Sequence, residues 1–74
     1  MASLPCVRRL WRLRKQNHHV DAELSDGGPR GVEIRFLYDG RIVFARRWHA
    51  RRAALALASE KRKELERTGW IDHW

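Results

Sequence analysis

Residues 31–48, GVEIRFLYDGRIVFARRW, read as one β-hairpin, with apolar and polar side chains alternating on either side of Asp39-Gly40. The register depends on the turn. A two-residue loop at Asp39-Gly40 sets Phe36 across from Val43 and leaves Ile42 and Phe44 on the opposite face, which scatters the apolar set. A three-residue loop, Tyr38 to Gly40, with Gly40 as the left-handed residue of a bulge, pairs Phe36 with Ile42 and Ile34 with Phe44. Val32, Ile34, Phe36, Ile42 and Phe44 then share one face. The second register is expected, because a one-residue slip exchanges buried and exposed sets.

Downstream, residues 49–69 read as one helix. Ala50, Ala54, Leu57, Ala58, Lys61 and Leu65 recur at helical spacing, and the alanines permit close approach to a sheet. Lys61 interrupts the stripe, where its stem covers apolar surface and its ammonium reaches water. The helix start lacks a strong capping residue. Its end is better specified: Gly69 suits the left-handed position after the helix, and Trp70 then packs back on Leu65 in a Schellman motif.

Upstream, Leu10 to Lys15 reads as a first strand, with Trp11 and Leu13 on one face. The polar run from Gln16 to His19 turns it. Val20, Ala22 and Leu24 alternate with Asp21, Glu23 and Ser25 as a second strand. Residues 26–31 hold three glycines and a proline in six positions and end that strand. The expectation is therefore an α+β fold in ββββα order. It comprises a small antiparallel sheet of three to four strands covered on one face by a single C-terminal helix. Residues 1–74 form one domain, divided into a basic arm (1–9), a sheet (10–48), a helix (49–69) and an aromatic tail (70–74).

The chain has 74 residues, close to the size at which a lone hydrophobic core is only just sufficient. The single cysteine, Cys6, cannot form an internal disulfide and favours a reducing, cytoplasmic setting. The longest apolar run, Ala53 to Ala58, is six residues, against the roughly 20 needed to cross a bilayer, so no membrane is expected. The N-terminus lacks the apolar centre of a secretory signal. Residues 1–20 hold five basic groups and no acid, as a mitochondrial presequence does, but Trp11 and Leu13 alternate with Arg12 and Arg14 as in a strand.

No residue set points to catalysis. His18 and His19 are adjacent in a turn, so their side chains are expected to diverge, and no third metal ligand lies near them in sequence. His49 and His73 stand alone. Cys6 has arginine neighbours that lower a thiol pKa, but no base is marked out for it. The carboxylates are dispersed and mostly countered by neighbouring arginines, so they offer no pair for general acid and base work. Gly27-Gly28 is followed by proline and not by a helix, unlike a phosphate-binding loop. The reading is of a non-enzyme with no metal and no cofactor.

Binding is what remains. Net charge is +7, and 13 of the 16 Lys and Arg residues are arginine, whose planar fork pairs bidentately with phosphate. A GC-rich genome also favours arginine, so distribution matters more than total. Arg12, Arg14, Asp21, Glu23, Glu33, Arg35 and Arg47 are expected on the sheet face away from the helix, as a self-neutralising ladder. Two groups escape this cancellation: Arg8, Arg9, Arg12, Arg14 and Lys15, and then Arg41, Arg46, Arg47, Arg51 and Arg52. If the first strand lies near the last, the two merge into one basic patch.

Arg8, Arg9, Arg12, Arg41, Arg46, Arg47, Arg51 and Arg52 are accordingly the expected contacts to the backbone of DNA or RNA. Trp48, beside Arg46 and Arg47, either joins that surface or fills the corner between sheet and helix. The alternative function is protein interaction, by homodimerisation or with an acidic protein partner. It would use Trp48, Trp70, Trp74 and the outer-face strip of Leu37, Val43 and Ala45.

Overall fold

The structure, a computed structural model, describes residues 6–27 and 30–72, with the side chain of Cys6 outside that description. Strands β1 (Cys6–Lys15), β2 (His18–Asp26), β3 (Val32–Tyr38) and β4 (Arg41–Trp48) precede helix α1 (Arg51–Arg67) and a two-residue strand β5 (Ile71–Asp72). All five strands form one antiparallel sheet in the order β4-β3-β2-β1-β5. This is the expected α+β fold in ββββα order. The fifth strand is an addition: Ile71 and Asp72 of the tail pair with Arg14 and Leu13. No helix among the described residues is long and apolar enough to cross a membrane.

The core is the alternation of three strands closed by two alanines. Trp11, Leu13, Val20, Ala22, Leu24, Val32, Ile34 and Phe36 are buried against Ala54 and Ala58 of α1, with Leu57, Leu65, Trp48 and Trp70 packed around them. Small residues at 54 and 58 let the helix lie close to the sheet, as the stripe implies. Deep in this contact the indole Nε1 of Trp11 donates to the carbonyl oxygen of Ala58 at 3.1 Å. Gly69 has φ +100°, and the amides of Gly69 and Trp70 donate to the carbonyls of Glu66 and Leu65 at 3.2 and 3.1 Å. That is the Schellman closure expected at the helix end.

The hairpin register differs from the expected one. Tyr38 pairs with Arg41 and Leu37 with Ile42, so the turn has two residues, Asp39 and Gly40, with φ +50° and +84°. Left-handed φ at both positions matches the right-handed twist of the strands, and aspartate tolerates it. The slip that this turn should cause is undone one step later: the register shifts between Phe36 and Leu37, leaving Val43 as an extra residue and setting Phe44 opposite Phe36. Val32, Ile34, Phe36 and Phe44 thus keep a common face. Ile42 moves to the other face beside Leu37 and is 52% exposed. Ile34 faces Arg46, not Phe44.

A second shift lies between Arg9 and Trp11, where Leu10 is extra. It lets β1 continue back to Cys6, so residues 6–9, expected in the arm, are strand residues paired with Asp26 to Glu23. The break in alternation at Leu10 is what hid this extension from a period-two reading. The helix likewise occupies 51–67 within the expected 49–69.

Candidate nucleic-acid interface

The sheet order decides where the expected basic groups go. β1 and β4 are separated by β2 and β3, which at about 4.8 Å per strand sets them roughly 14 Å apart, so the two arginine groups do not merge. Arg9 and Glu23 are cross-strand partners, as are Glu23 and Arg35, and Glu33 and Arg47. Arg12 donates to both oxygens of Asp21 at 2.6 and 2.9 Å. Chiefly through that hydrogen bond, Asp21 raises the Arg12 pKa above its ordinary value. The outer face is therefore the mixed ladder expected of it, and Arg12 is spent on a partly buried ion pair.

Arg8 is exposed and sits in the row Arg8, Leu24, Ile34, Arg46 on the helix side of the sheet, so it and Arg46 lie at opposite ends of one row. Arg41 is exposed beside the hairpin turn, six residues and about 20 Å along β4 from Arg47.

What comes together is the corner where β4 passes into α1. Arg46 and Arg47 leave opposite faces of the last strand residues, and Arg51 and Arg52 form the first turn of the helix, all of them exposed. The Arg46 guanidinium lies 4.3 Å above the Trp48 ring. Trp48 itself is packed against the core and its Nε1 is buried with no hydrogen-bond partner among the described residues. Of the two roles expected for this tryptophan, the corner filler is the one its packing matches.

The helix begins without a side-chain cap at Ala50 and with no acid in its first turn. Its free N–H groups therefore add a partial positive charge to that of Arg51 and Arg52. The nearest recorded counter-charge is Asp26, whose carboxylate is 3.7 Å from Arg51 across an exposed gap.

Sequence reading missed Arg30 and placed Arg35 only in the outer-face ladder. Both line a shallow cleft of about 340 Å³ with Arg47, Ser25 and Glu33, at the foot of the loop that joins β2 to β3. Glu33 is taken by Arg35 at 2.6 Å. Arg30 follows a proline in the glycine-rich break, a position that carries no periodic signal, and only the tertiary structure places it in one cleft with Arg47. The cleft and the helix start lie on either side of the same strand end, and together they hold Arg30, Arg46, Arg47, Arg51 and Arg52.

The histidines behave otherwise than expected. Both reach one carboxylate in the neighbouring turn: Nδ1 of His18 is 2.6 Å, and Nδ1 of His19 3.5 Å, from Asp39, which also accepts from the His19 amide at 2.9 Å. Among the described residues, no group of three or more His, Cys, Asp or Glu side chains is placed to hold a metal ion. Trp70 is partly buried, edge-on to Tyr38 at 6.2 Å, and Trp74 lies outside the described residues. No protein-family model matches the sequence, and neither a curated protein nor a solved structure matches it.

Proposed function

We propose that the chain is a small, non-enzymatic binding module that grips the phosphate backbone of nucleic acid at the corner between β4 and α1. The observation behind this reading is the gathering of Arg30, Arg46, Arg47, Arg51 and Arg52 around one strand end and an uncapped, acid-free helix start. Guanidinium groups supply bidentate contacts to phosphate oxygens, and the helix N-terminus adds N–H donors with a favourable dipole. Trp48 is partly buried against the core with the Arg46 guanidinium over its ring, so its packing role competes with base stacking. Contacts at this corner are therefore to phosphates, and the binding is largely indifferent to sequence.

Phosphate neutralisation releases counterions, so affinity must depend steeply on salt. Three to four contacts give a slope of roughly −3 in log K against log salt on duplex DNA. Fluorescence anisotropy with labelled duplex DNA, single-stranded DNA and RNA, at salt from about 50 to 200 mM, measures it. Joint replacement of Arg46, Arg47, Arg51 and Arg52 by alanine should abolish binding while the circular dichroism spectrum is kept. Flat titrations with all three nucleic acids at low salt, or a folded quadruple variant that binds like the wild type, would remove the proposal.

A further inference from the structure

The helix leaves one part of the sheet open. α1 starts beside the end of β4 and finishes beside β1, where Lys15 Nζ donates to the Thr68 carbonyl at 2.6 Å. A wedge therefore opens between the second half of the helix and the turn end of the β3–β4 hairpin. It is an apolar groove of about 530 Å³, walled by Phe36, Val43 and Phe44 on the sheet side and by Leu57 and Leu65 on the helix side, with Trp70 closing one end. Val43 is 62% and Phe44 38% exposed at its mouth. The bulge causes this, because the extra residue turns a second apolar side chain of β4 to the groove.

The groove runs along an open sheet edge. β4 is the terminal strand, exposed throughout its length except at Trp48, and from Phe44 to Trp48 it pairs with β3 without a register shift. As the terminal strand among the described residues, this stretch turns half of its backbone N–H and C=O groups away from β3, which is a template for another strand. Charge selects the occupant. Lys61 lines the groove, Arg41 and Arg46 flank its Val43 and Phe44 along β4, and the one acid lining it, Glu64, sits 3.6 Å from Lys61. A second copy of this chain is a poor fit. Strand β4 carries Arg41, Arg46 and Arg47 with no acid, and each copy brings a net charge of +7.

We infer that this edge and groove receive an extended acidic segment of another protein. The segment adds as a sixth strand against Phe44–Trp48, with its carboxylates toward the arginines and one bulky apolar side chain in the groove. Main-chain hydrogen bonds then carry affinity, and the groove and the cationic rim carry selectivity. This surface shares Arg46 and Arg47 with the basic corner but uses neither Arg30 nor Arg51 and Arg52, so variants at 51 and 52 tell the two binding modes apart.

The test is selection of random peptides displayed against the full chain at physiological salt, followed by synthesis of the most enriched one. The expected consensus alternates acidic and apolar residues with a period of two. The synthetic peptide should shift the amide resonances of Phe44–Trp48 and the indole resonance of Trp70. Val43→Glu, a change at an exposed position, should weaken it at least tenfold, and an Arg51→Ala, Arg52→Ala double variant should bind it like the wild type. The inference fails if selection yields no acidic alternating consensus, or if Val43→Glu binds as tightly as the wild type. It fails equally if sedimentation finds a dimer that Val43→Glu dissociates, which would give the groove to a second copy. Duplex DNA that displaces the peptide and shifts the Val43 amide and the Trp70 indole would give the groove to nucleic acid and overturn the inference too.

Discussion

Trp11 Nε1 donates to the carbonyl oxygen of Ala58 across 47 positions of sequence, the one buried side-chain hydrogen bond recorded between the sheet and the helix among the described residues. The same indole stacks on Phe36 at 5.9 Å, so a single side chain ties β1 both to β3 and to α1. Trp11→Phe keeps the ring stack but loses the donor and part of the volume. The expected cost is about 1–3 kcal/mol, or a fall in Tm of roughly 5–15 °C in a chain of this size, read by thermal unfolding.

The two hairpin turns are clasped through Asp39. His18 Nδ1 and the His19 amide, in that order of effect, hold the Asp39 carboxyl below its ordinary pKa. A depressed carboxyl stabilises the fold fully above its unfolded pKa, near 3.9, and loses that contribution as pH falls through the lower folded value. Asn also tolerates the left-handed turn position, so Asp39→Asn isolates the charge. Wild type should be the more stable form at pH 6, and the gap should close in urea titrations carried down through the carboxylate range. A gap that persists unchanged in acid contradicts the clasp.

Glycine replacements should rank by space as well as by φ. A Cβ on Gly31, at φ +90°, would stand 2.2 Å from the Trp48 carbonyl oxygen, whereas one on Gly40, at φ +84°, meets nothing within 4 Å. Gly40→Ala should cost about 1–2 kcal/mol from backbone strain alone. Gly31→Ala must also push β3 away from the end of β4, and should unfold the chain at a clearly lower urea concentration than Gly40→Ala.

Asp21 is 5% exposed on the sheet face away from the helix, where it binds the Arg12 guanidinium. Removing one partner strands the other. Arg12→Leu should destabilise by about 1–2 kcal/mol, less than for a fully buried pair because Arg12 keeps contact with water. Adding Asp21→Val to it should restore part of the loss. Strict additivity in that double-mutant cycle would mean the pair contributes nothing.

Local rules made much of this legible. The helix, its alanine face and its closure by Gly69 and Trp70 follow from spacing and from one glycine, because each depends on residues within a turn or two of one another. The first two strands and the face shared by Val32, Ile34 and Phe36 follow from period two. The hairpin register was not legible: a turn preference at Asp39-Gly40 and a burial preference at Phe44 point to different pairings, and the bulge at Val43 satisfies both. Nothing local marks such a residue.

The basic corner was half readable. Arg46, Arg47, Arg51 and Arg52 lie close in sequence, and any strand-to-helix connection keeps them together. Strand order alone kept Arg8 and Arg9 away from them, and only the tertiary structure added Arg30.

By itself, then, the order of amino acids determined the four main strands and the helix and the buried faces of β2, β3 and α1, since backbone propensity and apolar period act over a few residues. Tertiary structure decided which arginines meet, which are consumed by Asp21 and Glu33, and where the helix leaves the sheet bare. Those outcomes depend on contacts between residues far apart in the chain, whose energies no short window of sequence contains.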